Sequence, residues 1–269
     1  MSLTSRGIVY IAMGQKYIEE AFYSVASLKK HTDISVTIFT SKSIHTELFN
    51  NVIVVETPNF NFMDKVFYMY RSPYENTLFL DTDTYIMSDI SELFLLLENF
   101  DIVAAHEPNR FVAKITEVPS SFIELNTGVI LFKKSTQVKY FFQNWLALYQ
   151  QNFKWMNDQP AFRLALYKSQ LRLATLPPEY NCRFNSPVRI NGRVNILHGR
   201  HPNLPAVAQE INSQMGERVF ISGLGLLPPF RGLKTSGGMI FRILILICNK
   251  LMAKMIDVFK GSYNNTPMK

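Results

Sequence analysis

Short apolar runs alternate with amphipathic stretches along the first two thirds of the chain. Unbroken apolar runs between turn residues predict buried strands, and apolar residues at helical spacing predict helices with one buried face. The predicted strands are residues 7–12, 35–40, 52–55, 78–80, 101–105, 125–132, 171–176 and 194–198. The predicted helices are residues 17–30, 62–70, 91–100, 137–152 and 161–168. This alternation predicts an α/β protein with a mostly parallel sheet and helices on both faces.

Two aspartates, Asp81 and Asp83, directly follow the strand predicted at residues 78–80. Strands of an α/β sheet end at the crevice where ligands bind. Paired carboxylates placed there suit Mg²⁺ or Mn²⁺ bridging a diphosphate, so we hypothesise that Asp81 and Asp83 hold a divalent metal on a nucleotide-sugar. The alternative is that both are solvated loop residues or cap a helix after Ser88, because a D-x-D triplet also arises by chance.

The turn after the first predicted strand, residues 12–17, contains neither G-x-G-x-x-G nor a P-loop. A dinucleotide cofactor or an NTPase is therefore not indicated. The turn still lies where a nucleotide binds in a doubly wound sheet. Tyr17 either stacks on a base there or packs on the first turn of its own helix.

Polar residues at other predicted strand and helix ends are further candidates. Asn126 either offers a donor and an acceptor to a sugar hydroxyl or is a turn residue. Gly128 permits close backbone approach to a ligand. Asp158 precedes Pro160 at helix-start spacing, which predicts an N-cap. Its other interpretation is a carboxylate that faces the sugar, as a general base or as the electrostatic partner of the reacting carbon.

His198 and Arg200 follow the strand predicted at residues 194–198. A neutral imidazole there would complete a metal site with the two aspartates, although a histidine at a strand end is more often structural. Arg200 would clamp a phosphate through two hydrogen bonds. The segment at residues 107–124 predicts a long loop, and such loops are often functional lids.

These segments occur in the order seen in glycosyltransferases of the GT-A fold. The matching positions are residues 8–14, Lys65 and residues 78–83, 126–128, 158–159, 180–181 and 198–199. The chain most resembles the family of glycogenin and the bacterial lipopolysaccharide galactosyltransferases, glycosyltransferase family 8, over roughly residues 7–202. The resemblance implies a Rossmann-like mixed sheet with helices on both faces. It also implies transfer of a sugar from a nucleotide-sugar, a UDP-sugar in this family, with retention.

The resemblance also implies roles for single residues. Asp81 and Asp83, with Thr82 between them, resemble the D-x-D motif that binds Mn²⁺ and the sugar-nucleotide. His198 resembles the third protein ligand of that metal. Lys65 resembles the basic residue that touches the donor sugar and phosphates.

Further matches carry the resemblance through the rest of the site. They are the base-contacting turn at Ala12 and Tyr17, the donor-sugar segment Asn126, Thr127 and Gly128, and the pair beside the anomeric carbon, Asp158 and Gln159. The family segment H-x-x-G-x-x-K-P-W is replaced by His198-Gly199-Arg200-His201-Pro202. Its diphosphate-binding lysine is missing, and Arg200 is a candidate to replace it. Matching His201-Pro202 to the family's Lys-Pro would instead put Asn195 at the metal-ligand position.

Composition bounds the class of protein. The 269 residues are 47% hydrophobic, enough for one domain with a sizeable core and an appendage. The net charge is +7, and +6 of it lies in residues 231–269, so no basic globular surface for nucleic acid is indicated. Two distant cysteines predict neither a disulfide framework nor a zinc site, and favour a reducing compartment. Without a signal-peptide pattern or a run of 18 apolar residues, we predict a cytoplasmic protein with no spanning helix.

Prolines and glycines at residues 226–238 predict a boundary between a GT-A catalytic domain, residues 1–227, and a C-terminal segment, residues 228–269. Residues 239–260 predict a helix whose charged residues share about 140° of its circumference. Such a basic amphipathic helix favours an anionic membrane surface, which would place the protein peripherally on the cytoplasmic face of a membrane. Packing onto the catalytic domain, or a homodimer contact, is the alternative.

We therefore expect a metal-dependent glycosyltransferase that uses Mn²⁺ or Mg²⁺ and acts on a glycan or lipid-linked acceptor. The alternatives are a nucleotidyltransferase or phosphohydrolase using the same aspartates, and a non-catalytic peripheral membrane protein of the same fold. The first turn argues against a nucleotidyltransferase, because it lacks a glycine- and lysine- or arginine-rich triphosphate loop.

Overall fold

Alternating apolar side chains build a central sheet that is covered on both faces. The computed structural model describes residues 5–109, 113–151 and 157–227, together with residue 244. In the first strand, Ile8 and Tyr10 enter one hydrophobic core and Val9 enters the other. This division follows because successive side chains of a strand point to opposite faces.

The elements of the described residues largely follow the predicted alternation. The strands are Arg6–Ala12 (β1), Val36–Thr40 (β2), Asn51–Val54 (β3), Asn76–Leu80 (β4), Thr84–Ile86 (β5), Ile102–His106 (β6), Leu125–Lys133 (β7), Leu173–Leu176 (β8), Val188–Ile190 (β9), Ile196–His198 (β10), Arg218–Ile221 (β11) and Gly225–Leu227 (β12). The α-helices are Gln15–Leu28 (α1), Phe62–Met69 (α2), Thr136–Gln151 (α3), Gln159–Tyr167 (α4) and Leu204–Ile211 (α5). The 3₁₀ helices are Ser91–Glu98 and Pro178–Tyr180.

The main sheet has the strand order β3-β2-β1-β4-β7-β6-β8. Six of these strands run in one direction, and β7 runs antiparallel to both of its neighbours. The prediction of a mixed, mostly parallel sheet is confirmed. Because β7 is reversed, its first residues lie at the edge where β1 and β4 end, and this edge carries the candidate site.

Two helical layers cover the main sheet. One core packs α1 and the 3₁₀ helix Ser91–Glu98 against one face, and a second core packs α2, α3 and α4 against the other. A third apolar cluster joins α5 to the short strands β9 to β11. The predicted helices on both faces are confirmed.

Sequence patterns missed the shorter elements. The helix predicted at residues 91–100 is a 3₁₀ helix, Ser91–Glu98, and the strands β5, β9, β11 and β12 and the helix α5 were not predicted. A pattern of three or four residues does not distinguish a strand reliably from a turn, since β3, β8 and β10 are equally short and were predicted whereas these four strands were not. One of them, β5, proves essential to the geometry of the site.

The long loop predicted at residues 107–124 has no helix or strand in its described parts, 107–109 and 113–124. Arg163 of α4 anchors it, because its guanidinium donates to the carbonyls of Ala113, Pro119 and Phe122 at 3.1, 2.8 and 2.9 Å. A lid that opened as a whole would have to break all three bonds.

The predicted C-terminal helix, residues 239–260, lies outside the described residues except for Leu244, which is helical and 52% exposed. No helix among the described residues combines the length and apolarity needed to cross a bilayer. The domain boundary after residue 227 and the membrane-associating segment stay predictions.

Candidate active site

Asp81, Asp83 and His198 converge at the carboxyl edge of the sheet. Asp81 is the first residue beyond β4, and three residues later the chain enters β5, which pairs with β10 and sets His198 opposite Thr84. His198 Nε2 lies 3.6 Å from Asp81 Oδ2 and 3.4 Å from Asp83 Oδ1. One ligand atom from each of the three side chains lies within 4.8 Å of the others. The unpredicted strand β5 is therefore what brings the histidine to the aspartates.

Gly128 and Gly199 make room around this cluster. A Cβ at position 128 would lie 2.0 Å from His198 Cε1 and 2.8 Å from Asp81 Oδ2, far inside van der Waals contact. Gly199 has a φ of 140°, and a Cβ there would lie 2.7 Å from Asn185 Nδ2. The groups that approach the backbone at Gly128 are thus the side chains of His198 and Asp81, which belong to the cluster.

Asn181 and Arg183 hold the imidazole of His198 from two sides. Cys182, between them, bridges to Leu197 and is buried, so the alternating side chains on either side of it face the ring. Asn181 Oδ1 lies 2.7 Å from His198 Nδ1, and Arg183 Nη1 lies 3.0 Å from Nε2. Because an amide oxygen accepts and a guanidinium donates, Nδ1 carries the proton and Nε2 presents its lone pair. Sequence analysis had assigned no role to either residue.

The side-chain amide of Asn126 is fully engaged within the protein. Its Oδ1 accepts from the Gly128 N–H at 3.0 Å and from Asn181 Nδ2 at 2.9 Å. Its Nδ2 donates to Glu107 Oε2 at 2.9 Å and to Gln159 Oε1 at 3.1 Å. Because the backbone N–H of Gly128 can only donate, the Asn126 atom that faces it is the amide oxygen. That oxygen also faces the Asn181 amide, so the Asn181 atom directed at it is the nitrogen. Two donors and two acceptors are all used, so Asn126 organises the site rather than presenting a free amide.

Lys65 lies buried beside the cluster, in the first turn of α2. Its Nζ is 3.1 Å from Asp81 Oδ1 and 3.7 Å from Asp158 Oδ2, and it donates to the Thr127 hydroxyl at 3.2 Å. That hydroxyl donates in turn to Asp158 Oδ1 at 3.2 Å. Within the part of the chain that the structure describes, Asp158 Oδ2 has no hydrogen-bond donor.

Asp158 occupies the N-cap position of α4, but its side chain accepts no capping bond and turns toward Lys65. Burial raises the pKa of Asp158, and the nearby ammonium offsets only part of that effect. Burial by itself would lower the pKa of Lys65, but the charges of Asp158 and Asp81 outweigh it and raise the pKa. One buried cation therefore serves two carboxylates, and an acceptor oxygen is left over.

These side chains line a cavity of about 580 Å³, a volume typical of small-molecule sites. The cluster, Lys65 and Asp158 form part of its wall. Other lining residues are Ile11, Met13, Tyr17, Phe60, Phe62 and Tyr149. The site thus combines a possible metal centre, a buried ion pair and apolar walls.

Comparison with known proteins agrees with this architecture. The sequence model of the nucleotide-diphospho-sugar transferase family matches residues 75–201, which include Asp81, Asp83 and His198. A comparison with curated proteins gives no significant match. Glycosyltransferase GlyE of Streptococcus pneumoniae TIGR4 is 17% identical with a TM-score of 0.55, and the match covers 80% of this chain and 58% of that one. Mouse xyloside xylosyltransferase 1, in its apo form, is 14% identical with a TM-score of 0.52, and the match covers 72% of this chain and 97% of that one.

The chain has the GT-A fold. At these identities the solved structures establish the fold alone, and this chain spans only 58% of the length of GlyE. The GT-A assignment gives the carboxyl edge of the sheet its meaning, because ligands of open α/β sheets bind there.

Arg200 borders the GT-A cavity but is committed to Glu20. Its Nε and Nη2 lie 2.6 and 3.0 Å from the two oxygens of Glu20, and its Nη1 lies 3.5 Å from Asp83 Oδ2. Thr82 also donates to Glu20, at 2.9 Å. The ring centroid of Tyr17 lies 5.8 Å from the guanidinium carbon of Arg200, and Tyr17 is 44% exposed. Lys16 Nζ lies 6.0 Å from the same ring centroid, so Tyr17 is partly exposed between two cations, whereas Arg200 already has a carboxylate partner.

Two other candidates from the sequence lie away from the cavity. The side chain of Ala12 is buried in the core beneath α1, and its neighbours Ile11 and Met13 line the GT-A cavity instead. Asn195 directly precedes β10 and accepts a hydrogen bond from the Ser88 hydroxyl. His198, not Asn195, is the residue brought to the aspartates.

Proposed function

We propose that this protein is a metal-dependent glycosyltransferase that moves a sugar from a nucleotide-diphosphate sugar to an acceptor hydroxyl. The observation that carries the proposal is the convergence of Asp81, Asp83 and His198 at the carboxyl edge of a GT-A sheet, beside the buried Lys65–Asp158 pair. A metal centre next to a buried cation and a carboxylate matches the charges of a donor that separates into a sugar and a diphosphate.

The residues present fit a divalent ion such as Mn²⁺ or Mg²⁺. Asp81 and Asp83 supply hard oxygen ligands and His198 supplies one nitrogen, so positions remain for phosphate oxygens and water. Asn181 holds Nδ1–H of His198, which is the support that metal-binding imidazoles normally have. Because Gly128 has no side chain, the ring of His198 and the carboxylate of Asp81 can lie directly against its backbone. When bound, the ion would offset negative charge on the departing nucleoside diphosphate.

The cavity offers separate surroundings for each part of a donor. We assign the base to the part lined by Ile11, Met13 and Tyr17, where the partly exposed ring of Tyr17 would stack on it. The diphosphate belongs at the acidic cluster, and the sugar belongs beside Lys65 and Asp158. The nucleotide in this proposal is UDP, as the resemblance to glycosyltransferase family 8 implies.

In the reaction, the bond between the anomeric carbon and the diphosphate oxygen breaks, and a bond to the acceptor oxygen forms. Positive charge develops on the sugar as its diphosphate leaves. Asp158 Oδ2 is a preorganised acceptor oxygen in a water-poor site and would stabilise that charge. Lys65 holds Asp158 and Asp81 in place and adds positive charge near the departing phosphates. Retention is part of the proposal; in an inverting reaction Asp158 would instead take the proton of the acceptor hydroxyl.

The acceptor in this proposal is a glycan or a lipid-linked sugar at a membrane surface. What supports it is the basic amphipathic pattern at residues 239–260. Liposome binding by the full chain and by a chain ending at residue 227 tests this part, and equal binding to anionic vesicles would contradict it.

A thermal-shift screen of UDP-, GDP- and CMP-sugars, with and without Mn²⁺, is the first test of the proposed function. We expect one donor to raise the melting temperature only when the metal is present. The stabilising donor is then used to measure release of the nucleoside diphosphate and transfer of the sugar.

The matched variants are Asp83→Asn and Asp89→Asn. Asp89 is an exposed carboxylate that bonds Ser91, so its replacement makes the same chemical change outside the site. We expect Asp83→Asn to lose metal-dependent stabilisation and transfer, and Asp89→Asn to keep both. Full transfer by Asp83→Asn, or hydrolysis of nucleoside triphosphates in place of transfer, would overturn the proposal.

A further inference from the structure

Arg183 places a cation directly on the coordinating nitrogen of His198. Its Nη1 lies 3.0 Å from Nε2, and the side chain lines the same cavity as Asp81 and Asp83. An imidazole nitrogen has one lone pair. That lone pair binds either a guanidinium N–H or a metal ion, and it does not bind both.

Among the described residues that line the cavity, the other two cations have carboxylate partners. Lys65 pairs with Asp81 and Asp158, and Arg200 pairs with Glu20 through two hydrogen bonds. Among the salt bridges of the described residues none includes Arg183, which contacts the ring of His198 and acts on Asp83 only through its charge, by lowering the pKa of that carboxyl. Arg183 is therefore the cation whose contact costs least to exchange, because no direct salt bridge to a carboxylate has to be broken.

Asn181 and Arg183 share one backbone support, but their side chains are held differently. Both flank Cys182, whose backbone N–H and C=O bond to β10, so the segment remains fixed beside His198 whichever way the guanidinium points. Asn181 Oδ1 accepts from Nδ1, while Asn181 Nδ2 is held by Asn126. The ring thus keeps its orientation and tautomer when Arg183 moves away.

We propose that Arg183 is a displaceable cation, which occupies His198 Nε2 before metal binds and turns onto the donor diphosphate when metal takes that nitrogen. This inference rests on the proposed function. Once the lone pair is used, the ion and the guanidinium repel each other. A diphosphate held by the ion adds an anion to the same cavity, whereas Asp81 and Asp83 would then be engaged by the ion. A guanidinium binds phosphate through two parallel hydrogen bonds. Arg183, rather than Arg200, then supplies the positive charge on the leaving group.

Two consequences follow for binding. Arg183 weakens metal binding when no nucleotide is present, because the ion has to replace it and meets its positive charge. It strengthens nucleoside diphosphate binding once the metal is in place. By thermodynamic linkage the metal and the diphosphate therefore strengthen each other's binding.

The test compares Arg183→Gln with Arg189→Gln, an exposed arginine on β9 that pairs with Glu217 away from the cavity. Calorimetry measures Mn²⁺ affinity without nucleotide, and then UDP and GDP affinity at saturating Mn²⁺. We expect Arg183→Gln to bind Mn²⁺ about tenfold more tightly, since a nearby positive charge is removed. We expect its diphosphate affinity to fall about tenfold, since a charge-assisted bond is lost. Arg189→Gln should match the wild type in both measurements.

Arg183→Lys provides a second variant that keeps the charge. It should bind Mn²⁺ like the wild type but bind the diphosphate more weakly, because an ammonium makes no paired contact. Unchanged or weaker Mn²⁺ binding by Arg183→Gln, or unchanged diphosphate binding by both variants, overturns the role of Arg183. A wild type that binds neither Mn²⁺ nor a nucleoside diphosphate overturns the proposed function itself.

Discussion

Replacing Gly128 with alanine tests the candidate metal centre through one methyl group. Gly128 lies in β7 between β4 and β6, and its backbone does not have a positive φ. Alanine therefore suits the backbone, and its effect is purely steric. The new Cβ would lie 2.0 Å from His198 Cε1 and 2.8 Å from both His198 Nδ1 and Asp81 Oδ2.

The size of the displacement decides the expected outcome. Ordinary contact begins at 3.4 Å, so His198 has to move by about 1.4 Å or the strand has to shift. Metal–ligand distances tolerate deviations of only about 0.2 Å. We expect Mn²⁺ affinity to fall by about 100-fold or more, with a loss of about 1–3 kcal/mol in the free energy of unfolding from overpacking.

Two other glycines supply controls for this experiment. A Cβ at Gly7 would lie 2.3 Å from the ring of Tyr74, on the same sheet but away from the cluster. Gly7→Ala should therefore lose stability and keep wild-type Mn²⁺ affinity. A Cβ at Gly192 would make ordinary contact with Glu179 at 3.6 Å, so Gly192→Ala should change neither quantity.

Calorimetric titration with Mn²⁺ and urea unfolding are measured on all three variants. The reasoning is refuted if Gly128→Ala binds Mn²⁺ as tightly as the wild type. It is also refuted if Gly7→Ala loses metal affinity to the same extent, since the effect would then follow overall stability rather than the cluster.

Three further predictions concern Asp101, Asp158 and Arg163. The pKa of Asp101 is lowered to about 2 by hydrogen bonds from Arg172. The ionised carboxylate therefore stabilises the fold above the unfolded pKa of 3.8, and this contribution is lost as the pH falls toward 2. In urea unfolding, Asp101→Asn should have a lower free energy of unfolding than the wild type at pH 7, and the difference should shrink across this interval. Asp158→Asn removes a buried carboxylate whose pKa is raised, so we expect an unchanged or higher melting temperature and transfer slower by about 100-fold; fast transfer would contradict the assignment. Arg163→Met leaves three loop carbonyls without their donor, so we expect a loss of about 3 kcal/mol and faster proteolysis within residues 113–122, and an unchanged digestion pattern would contradict the anchoring.

Some of the site was predictable because it follows from local pattern. An apolar strand followed at once by Asp81 and Asp83 places both carboxylates at a sheet edge, whatever the rest of the chain does. The helix after residue 158 follows from Pro160, which makes Asp158 its N-cap residue. Both inferences use only the spacing of residues close together in the chain.

Other parts depended on contacts between distant segments. Asn126 was expected to offer its amide to a sugar, but Asn181, 55 residues away, and Glu107 and Gln159 use it instead. Arg183 carried no signal except its alternation with the buried Cys182 on an extended segment. Such a pattern shows that two side chains share a face, but not which residue they meet.

The sequence by itself determined the alternation of strands and helices, the two-sided core and the position of the aspartates, because hydrophobic periodicity and strand ends are local properties of the backbone. Only the tertiary structure decided that β7 runs in reverse, that β5 pairs with β10 to deliver His198, and that Asn181 and Arg183 hold its ring. Strand direction and side-chain partnership arise from packing between segments far apart in the chain, and neither leaves a periodic pattern in the residues themselves.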